Sequence, residues 1–182
     1  ALLIGGSAGS LEVILKLLPG LDPALPFPII LVLHRKSGKD DILTNLLAGK
    51  TEMMVKEVEE KEEMLPATIY IAPPNYHLLI ENDHTFSLDA SEKVNFSRPS
   101  IDVTFESAAE VFKENIVCLL LSGANSDGSA GLKIVKEFGG AALVQDPDSA
   151  VVSFMPESAI ANVEVDAVLK SSEMSEYINN LP

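Results

Sequence analysis

The chain has 182 residues, 47% of them hydrophobic, and a formal net charge of −14 from 13 basic and 27 acidic side chains. That length suits one domain with a substantial core, and the apolar content excludes a disordered chain. The acidic balance makes nucleic acid and anionic membrane surfaces poor partners, no apolar run reaches the roughly 18 residues of a transmembrane helix, and a single cysteine, Cys118, excludes an internal disulfide framework or cysteine-rich zinc site.

Strands and helices alternate along the chain. Ala1 to Ile4 reads as a first strand, followed by the small residues Gly5-Gly6-Ser7-Ala8-Gly9 and a helix over Leu11 to Leu18. A proline-rich return, Pro19 to Pro28, leads to a second strand, Ile29 to Leu33, which ends on His34. A helix around Asp41 to Ala48 follows, and then the acidic stretch Glu52 to Glu63, a solvated face that could hold a short strand. Thr68 to Ala72 is a strand stopped by Pro73-Pro74, and Leu78-Leu79-Ile80-Glu81 with Thr85-Phe86-Ser87-Leu88 forms an antiparallel hairpin. Ser100 caps a helix over Ile101 to Lys113. A strand over Val117 to Leu121 runs into the small, polar loop Ser122 to Gly128, ahead of a helix over Gly131 to Phe138. A strand at Ala141 to Val144, a helix at Met155 to Ala161, and the segments Ala167 to Lys170 and Glu173 to Leu181 complete the pattern. The alternation predicts an α/β fold: three layers, doubly wound, with a mostly parallel sheet and one antiparallel hairpin. The chain opens inside its first strand, so a fragment is expected whose own start lies outside it.

Gly5 to Gly9 has the spacing G-x-S-x-G, the pattern of a serine exposed on a sharp strand-to-helix turn. In an open parallel sheet, the loops at the carboxyl ends of the strands line one crevice. Ser7, His34 and Asp127 each follow such a strand end, so they should converge. A serine hydroxyl needs a neighbouring base, and the base needs a carboxylate to fix its tautomer. Each residue also has a plainer reading. Ser7 could cap a helix or a phosphate-binding turn. His34 could be a hydrogen-bonded structural residue, with His77 as the competing base and His84 in an exposed turn. Asp127 competes with Asp146, although Asp146-Pro147-Asp148 looks like an ordinary turn. A dinucleotide fingerprint would need glycine where Ser7 and Ser10 stand and an acid where His34 stands, so no cofactor is expected, and no metal. The order Ser…His…Asp, with the serine on the first strand, sets the chain apart from the α/β-hydrolases.

Taken together, several segments resemble the catalytic domain of the chemotaxis protein-glutamate methylesterases (CheB type). They are Ile4 to Gly9, the strand ending in His34, Tyr70-Ile71-Ala72-Pro73-Pro74 with His77, Arg98-Pro99-Ser100-Ile101-Asp102, Leu121-Ser122-Gly123 through Asp127-Gly128, and Gln145-Asp146 with Met155-Pro156. The resemblance implies a cytoplasmic serine hydrolase, spanning residues 1–182, that removes methyl esters from glutamate side chains of chemoreceptors and can deamidate receptor glutamines. It implies Ser7 as nucleophile, His34 as base, Asp127 as orienting carboxylate, and Ala8 and Ala124 as oxyanion and substrate-binding positions. A phosphoacceptor receiver domain, found ahead of the catalytic domain in well-known members, is not in this sequence. Departures fall at Arg35-Lys36, at Ala124-Asn125-Ser126 and at Ser10. Arg35, Lys36 and Lys39 form a basic cluster beside the proposed base and are expected to dock an acidic partner. The alternatives are an inactive signalling scaffold of the same fold and an esterase for small molecules.

Overall fold

The computed structural model describes residues 1–35 and 41–182. The elements in chain order are β1 (Leu2–Gly6), α1 (Ser10–Leu17), β2 (Ile29–Leu33), α2 (Asp41–Ala48), β3 (Met54–Glu57), β4 (Thr68–Ile71), β5 (His77–Ile80), β6 (Phe86–Asp89), α3 (Ile101–Phe112), β7 (Val117–Leu120), α4 (Ser129–Glu137), β8 (Ala141–Gln145), α5 (Phe154–Asn162), β9 (Ala167–Leu169) and α6 (Met174–Asn179). Seven strands form one parallel sheet in the order β3-β4-β2-β1-β7-β8-β9, and β5 and β6 pair as a separate antiparallel hairpin. This is the three-layer, doubly wound arrangement expected from the sequence.

Side chains alternate across each strand, so both faces of the sheet are apolar. Leu2, Ile4, Ile29, Leu31, Leu119 and Leu143 pack with Val13, Ile14 and Leu17 of α1 and with Met174 and Ile178 of α6. On the other face Leu3, Ile30, Val32, Cys118, Leu120 and Val144 meet Ile101 and Phe105 of α3, Leu132 of α4, Met155 of α5 and Phe86 of the hairpin.

The first strand runs past its expected end at Ile4. Gly5 and Gly6 stay in register with Val32 and Leu33 of β2. Glycine reads poorly as strand, yet here it is required: a Cβ on Gly5 would collide with Ile101 and Phe105, so its absence lets α3 lie against the sheet. The acidic stretch 52–63 is more than a solvated face. It contains edge strand β3, and Glu57 and Glu62 are ion-paired with Arg35 and Lys56.

The topology sets up a crevice. From β1 the chain winds through β2 to β4 and β3 on one side, then returns through α3 to β7 on the other. Strand order therefore reverses at β1, and the carboxyl ends of β2, β1 and β7 lie side by side at the switch point.

Candidate active site

Ser7 leaves β1 one residue after the Gly6–Leu33 pair, and His34 leaves β2 at the same level. The backbone ties the three strand ends together: Ser7 N–H donates to the Ser122 carbonyl (2.9 Å), and His34 N–H donates to the Gly6 carbonyl (3.1 Å). Ser7 is half-buried at the crevice. The turn after it closes through Ser10, whose hydroxyl donates to the Ser7 carbonyl at 2.6 Å. Gly9 then enters α1 with φ +83°, a left-handed conformation that favours glycine, and a Cβ there would meet Val151 Cβ at 2.6 Å and Ser122 Oγ at 2.9 Å.

His34 Nε2 lies 2.6 Å from Asp127 Oδ2, with the imidazole largely covered and the carboxylate fully buried. The ring proton on Nε2 is therefore donated to the carboxylate, which leaves the Nδ1 lone pair free to accept a proton. Ser97 Oγ stands 3.4 Å from Nδ1. No hydrogen bond joins Ser7 Oγ to the ring among the described residues, although the two residues leave adjacent strand ends.

Asp127 is held by an unusual number of donors. Oδ2 accepts from His34 and from Ile101 N–H (2.7 Å). Oδ1 accepts from Ser100 Oγ (2.9 Å), Asp102 N–H (3.0 Å), Gly128 N–H (3.1 Å) and Asn95 Nδ2 (3.3 Å). Two of these donors are the free N–H groups at the start of α3, where the helix dipole also favours a negative charge. Burial acts to raise the carboxyl pKa, but the hydrogen bonds from His34, Asp102 and Ile101 outweigh it, and the net shift is downward. Asp127 is thus ionised at neutral pH despite having no contact with water.

A second carboxyl sits beside it. Asp102 Oδ1 accepts from Gly128 N–H (2.8 Å) and Gly131 N–H (2.7 Å), and its Oδ2 accepts from Asn95 Nδ2 (2.8 Å). Its pKa is pushed up to about 6, chiefly by burial and further by the Asp127 charge, against the lowering effect of the two glycine N–H bonds. Asp102 clasps the loop that carries Asp127 to the start of α3.

The competing residues have other tasks. His77 is buried; its Nε2 donates to the Glu92 carbonyl (2.8 Å) and its Nδ1 accepts from Ser100 N–H (3.1 Å), so it fixes the segment that holds Asp127. Asp146 serves its own turn, accepting from Asp148 N–H at 3.1 Å. Gln145, not Asp146, reaches toward the crevice: its Oε1 accepts from Ser122 N–H at 2.9 Å. Ala8 and Ala124 are exposed on the two turns flanking the crevice, and among the described residues neither N–H donates to another group. Of the basic cluster, Arg35 donates to Glu57, its charge compensated within the fold, while Lys36 and Lys39 lie outside the described residues. Asn95, Ser97, Ser100 and Asp102 belong to the site, yet the sequence reading assigns none of them a part in it beyond the helix cap at Ser100. Ser100 and Asp102 lie in the segment Arg98 to Asp102 that carries the family resemblance, and Asn95 and Ser97 have no such signal. Among the described residues, no cluster of three or more His, Cys, Asp or Glu side chains is placed to hold a metal ion.

Fold and site together define a doubly wound α/β protein with a Ser, His and Asp set at its switch point. Residues 2–178 match the family model described as CheB methylesterase. A Leptospira interrogans relative is 47% identical over 181 residues, covering 100% of this chain and 94% of its own. The protein-glutamate methylesterase/protein-glutamine glutaminase of Thermotoga maritima is 35% identical, covering 98% of this chain and 53% of its own length. The crystal structure of the Thermotoga maritima CheB methylesterase catalytic domain superposes with a TM-score of 0.95 over 100% of this chain and 97% of that one, at 35% identity. The chain belongs to the CheB methylesterase family.

Proposed function

We propose that residues 1–182 form a catalytic domain that hydrolyses γ-methyl esters of protein glutamate residues, with methylated chemoreceptors as the substrate. The observation that supports it most directly is the His34–Asp127 couple, with Asp127 kept ionised and Ser7 on the adjacent strand end. In this reading Ser7 Oγ attacks the ester carbonyl as its proton passes to His34 Nδ1. Asp127 stabilises the imidazolium that results. The N–H groups of Ala8 and Ala124, on opposite sides of the crevice, receive the oxyanion. Collapse expels methoxide, which takes the proton from His34 and leaves as methanol. Water then attacks the Ser7 ester, His34 again accepting the proton, and glutamate is released with the serine restored.

The same steps on a glutamine side chain would release ammonia, which extends the proposal to deamidation. The relatives' names pair the two activities. A cytoplasmic setting suits the single thiol, Cys118, which is fully buried and whose pKa burial drives well up. Among the described residues, no helix is long and apolar enough to cross a membrane.

The test is covalent labelling with a fluorophosphonate probe alongside methanol release from methylated receptor preparations. Label on Ser7, with both signals lost in Ser7→Ala, is the expected result. Methanol release that survives in folded Ser7→Ala removes the serine from the mechanism. Labelling without action on receptor would favour a small-molecule esterase, and neither signal would leave a scaffold.

A further inference from the structure

Between the hairpin and α3, residues 90–98 form a loop that reaches the catalytic histidine. The loop is pinned at several points. Asn95 Nδ2 donates to both Asp102 and Asp127, Val94 and Ser97 exchange main-chain hydrogen bonds, and Arg98 donates to the Ala90 and Ser91 carbonyls. Yet at its tip Phe96 is 95% exposed, by a wide margin the most exposed large apolar side chain described. Asn95 and Phe96 both have positive φ, 50° and 61°. For phenylalanine that conformation is strained, and strain of this kind persists only where the surroundings impose it. The fold therefore presents an aromatic ring to solvent on a fixed support one residue from Ser97, which touches His34.

The tip overhangs a pocket of about 390 Å³ lined by His34, Arg35, Lys93, Phe96, Ser97 and Arg98, together with Asn75. Among the described residues its charged lining side chains are all cationic, in a chain of net charge −14. Arg35 is paired with Glu57, but among the described residues neither Lys93 nor Arg98 makes an ion pair. Arg98 Nη1 donates only to neutral carbonyls and its buried Nε has no partner among the described residues, so its charge still acts on the pocket. An acidic substrate approaching an acidic protein is repelled overall, and only local cations can reverse the sign at the point of contact. Their reach is about 10 Å at 0.1 M salt, which includes the pocket and the histidine.

Building on the methylesterase reading, we propose that the 93–98 loop is the specificity element of this site. Phe96 takes an apolar side chain, and Lys93 and Arg98 take carboxylates, of an acidic polypeptide segment that carries the esterified glutamate. The docking surface thus lies on the α3 side of His34, with Phe96 as anchor.

Two substrates of identical ester chemistry separate docking from chemistry. One is a capped 12-residue peptide of Glu and Leu with one central γ-methyl glutamate. The other is neutral N-acetyl-γ-methyl-glutamate amide. Methanol release is followed for the wild type, for Phe96→Asn (asparagine tolerates the positive φ), for Lys93→Glu, and for Lys50→Glu as a distant control. Binding of the fluorescently labelled, unesterified peptide is read by anisotropy. Expected is a fall of about tenfold in the peptide-to-amide ratio of kcat/KM for each loop variant, seen mainly in KM, with matching loss of peptide affinity. The Lys93→Glu deficit should shrink at 0.5 M salt, and Lys50→Glu should leave the ratio unchanged. An unchanged ratio and unchanged affinity in both loop variants overturns the proposal. So does an equal loss on both substrates, which would make the loop a support for His34. A wild-type dimer that Phe96→Asn dissociates would assign Phe96 to self-association instead. No methanol from either substrate, with peptide binding still lost in the variants, would reject the esterase reading and leave the docking surface standing.

Discussion

Replacing Asp127 by asparagine tests the arrangement at its centre, because an amide cannot satisfy both sides of that carboxylate. Oδ2 faces His34 Nε2 and Ile101 N–H; Oδ1 faces Ser100 Oγ, Asn95 Nδ2 and the N–H groups of Asp102 and Gly128. Ser100 and Asn95 can reorient, but the main-chain donors cannot. With the amide nitrogen at the δ1 position, two fixed N–H groups would lose their acceptor. With the nitrogen at δ2, only Ile101 N–H would. The amide oxygen therefore settles at δ1 and its NH₂ group points at His34. The imidazole must then accept at Nε2 and carry its proton on Nδ1, the nitrogen needed to take the serine proton. A histidine held in the wrong tautomer costs on the order of 10⁴-fold in kcat. Stability should fall by about 1–3 kcal/mol for the orphaned Ile101 N–H. Methanol release and urea denaturation of Asp127→Asn measure the two effects, with Asp146→Asn, whose carboxylate serves its own turn, as the near-neutral comparison. A folded Asp127→Asn within tenfold of wild-type kcat would refute the tautomer argument, and strong loss in Asp146→Asn would show that the wrong carboxylate has been assigned.

Gly9→Ala should lower stability by about 2 kcal/mol or more, since φ +83° is strained for alanine and the new Cβ meets Val151 and Ser122; a melting temperature within a degree of wild type would contradict this. His77→Ala should destabilise by about 2 kcal/mol, because Ser100 N–H and the Glu92 carbonyl lose their partner, while fluorophosphonate labelling of the folded fraction persists. For Asp102, the folded pKa of about 6 exceeds the ordinary 3.8, so the folded state binds the extra proton. Its ionisation therefore costs stability increasingly from about pH 4 to pH 6, after which the cost is constant. Asp102→Asn keeps an oxygen for Gly128 and Gly131, and its stability relative to wild type should rise across that window; a constant difference in denaturation midpoint from pH 4 to pH 7 would dismiss the shift.

What the sequence made legible was local. Ser7 stands in a five-residue motif, His34 directly after an apolar strand, and the helix cap at Ser100 directly ahead of the helix over Ile101 to Lys113. Asp146 also reads correctly as a turn, because its hydrogen bond runs to a residue two positions on. The choice between Asp127 and Asp146, in contrast, rests on the amino terminus of α3, about 25 residues from Asp127, and no local pattern reports which loop that helix will face. The loop of residues 90–98 was illegible for a different reason. It has no periodicity, and its shape depends on two left-handed non-glycine residues and on an asparagine that reaches two aspartates across the fold. Gly5 and Gly6 hid the end of β1, since glycine is a poor strand former and its purpose here, room for α3, is a property of packing.

The two neighbouring carboxyls also decide which of them can orient the histidine. Asp102 and Asp127 are both largely buried, share the Asn95 amide and repel each other when both are charged. A pair in this position resolves by pushing the two pKa values apart. The direction follows from the donors each receives. Asp127 accepts six hydrogen bonds, one from the His34 ring, and Asp102 accepts three. The proton therefore favours Asp102, and the charge stays on Asp127. That charge is the one in contact with His34, so in the proposed mechanism each proton the imidazole takes from Ser7 is met by a counter-ion already in place. The α3 terminus, the Asp102 clasp and the His77 brace all act to keep it there.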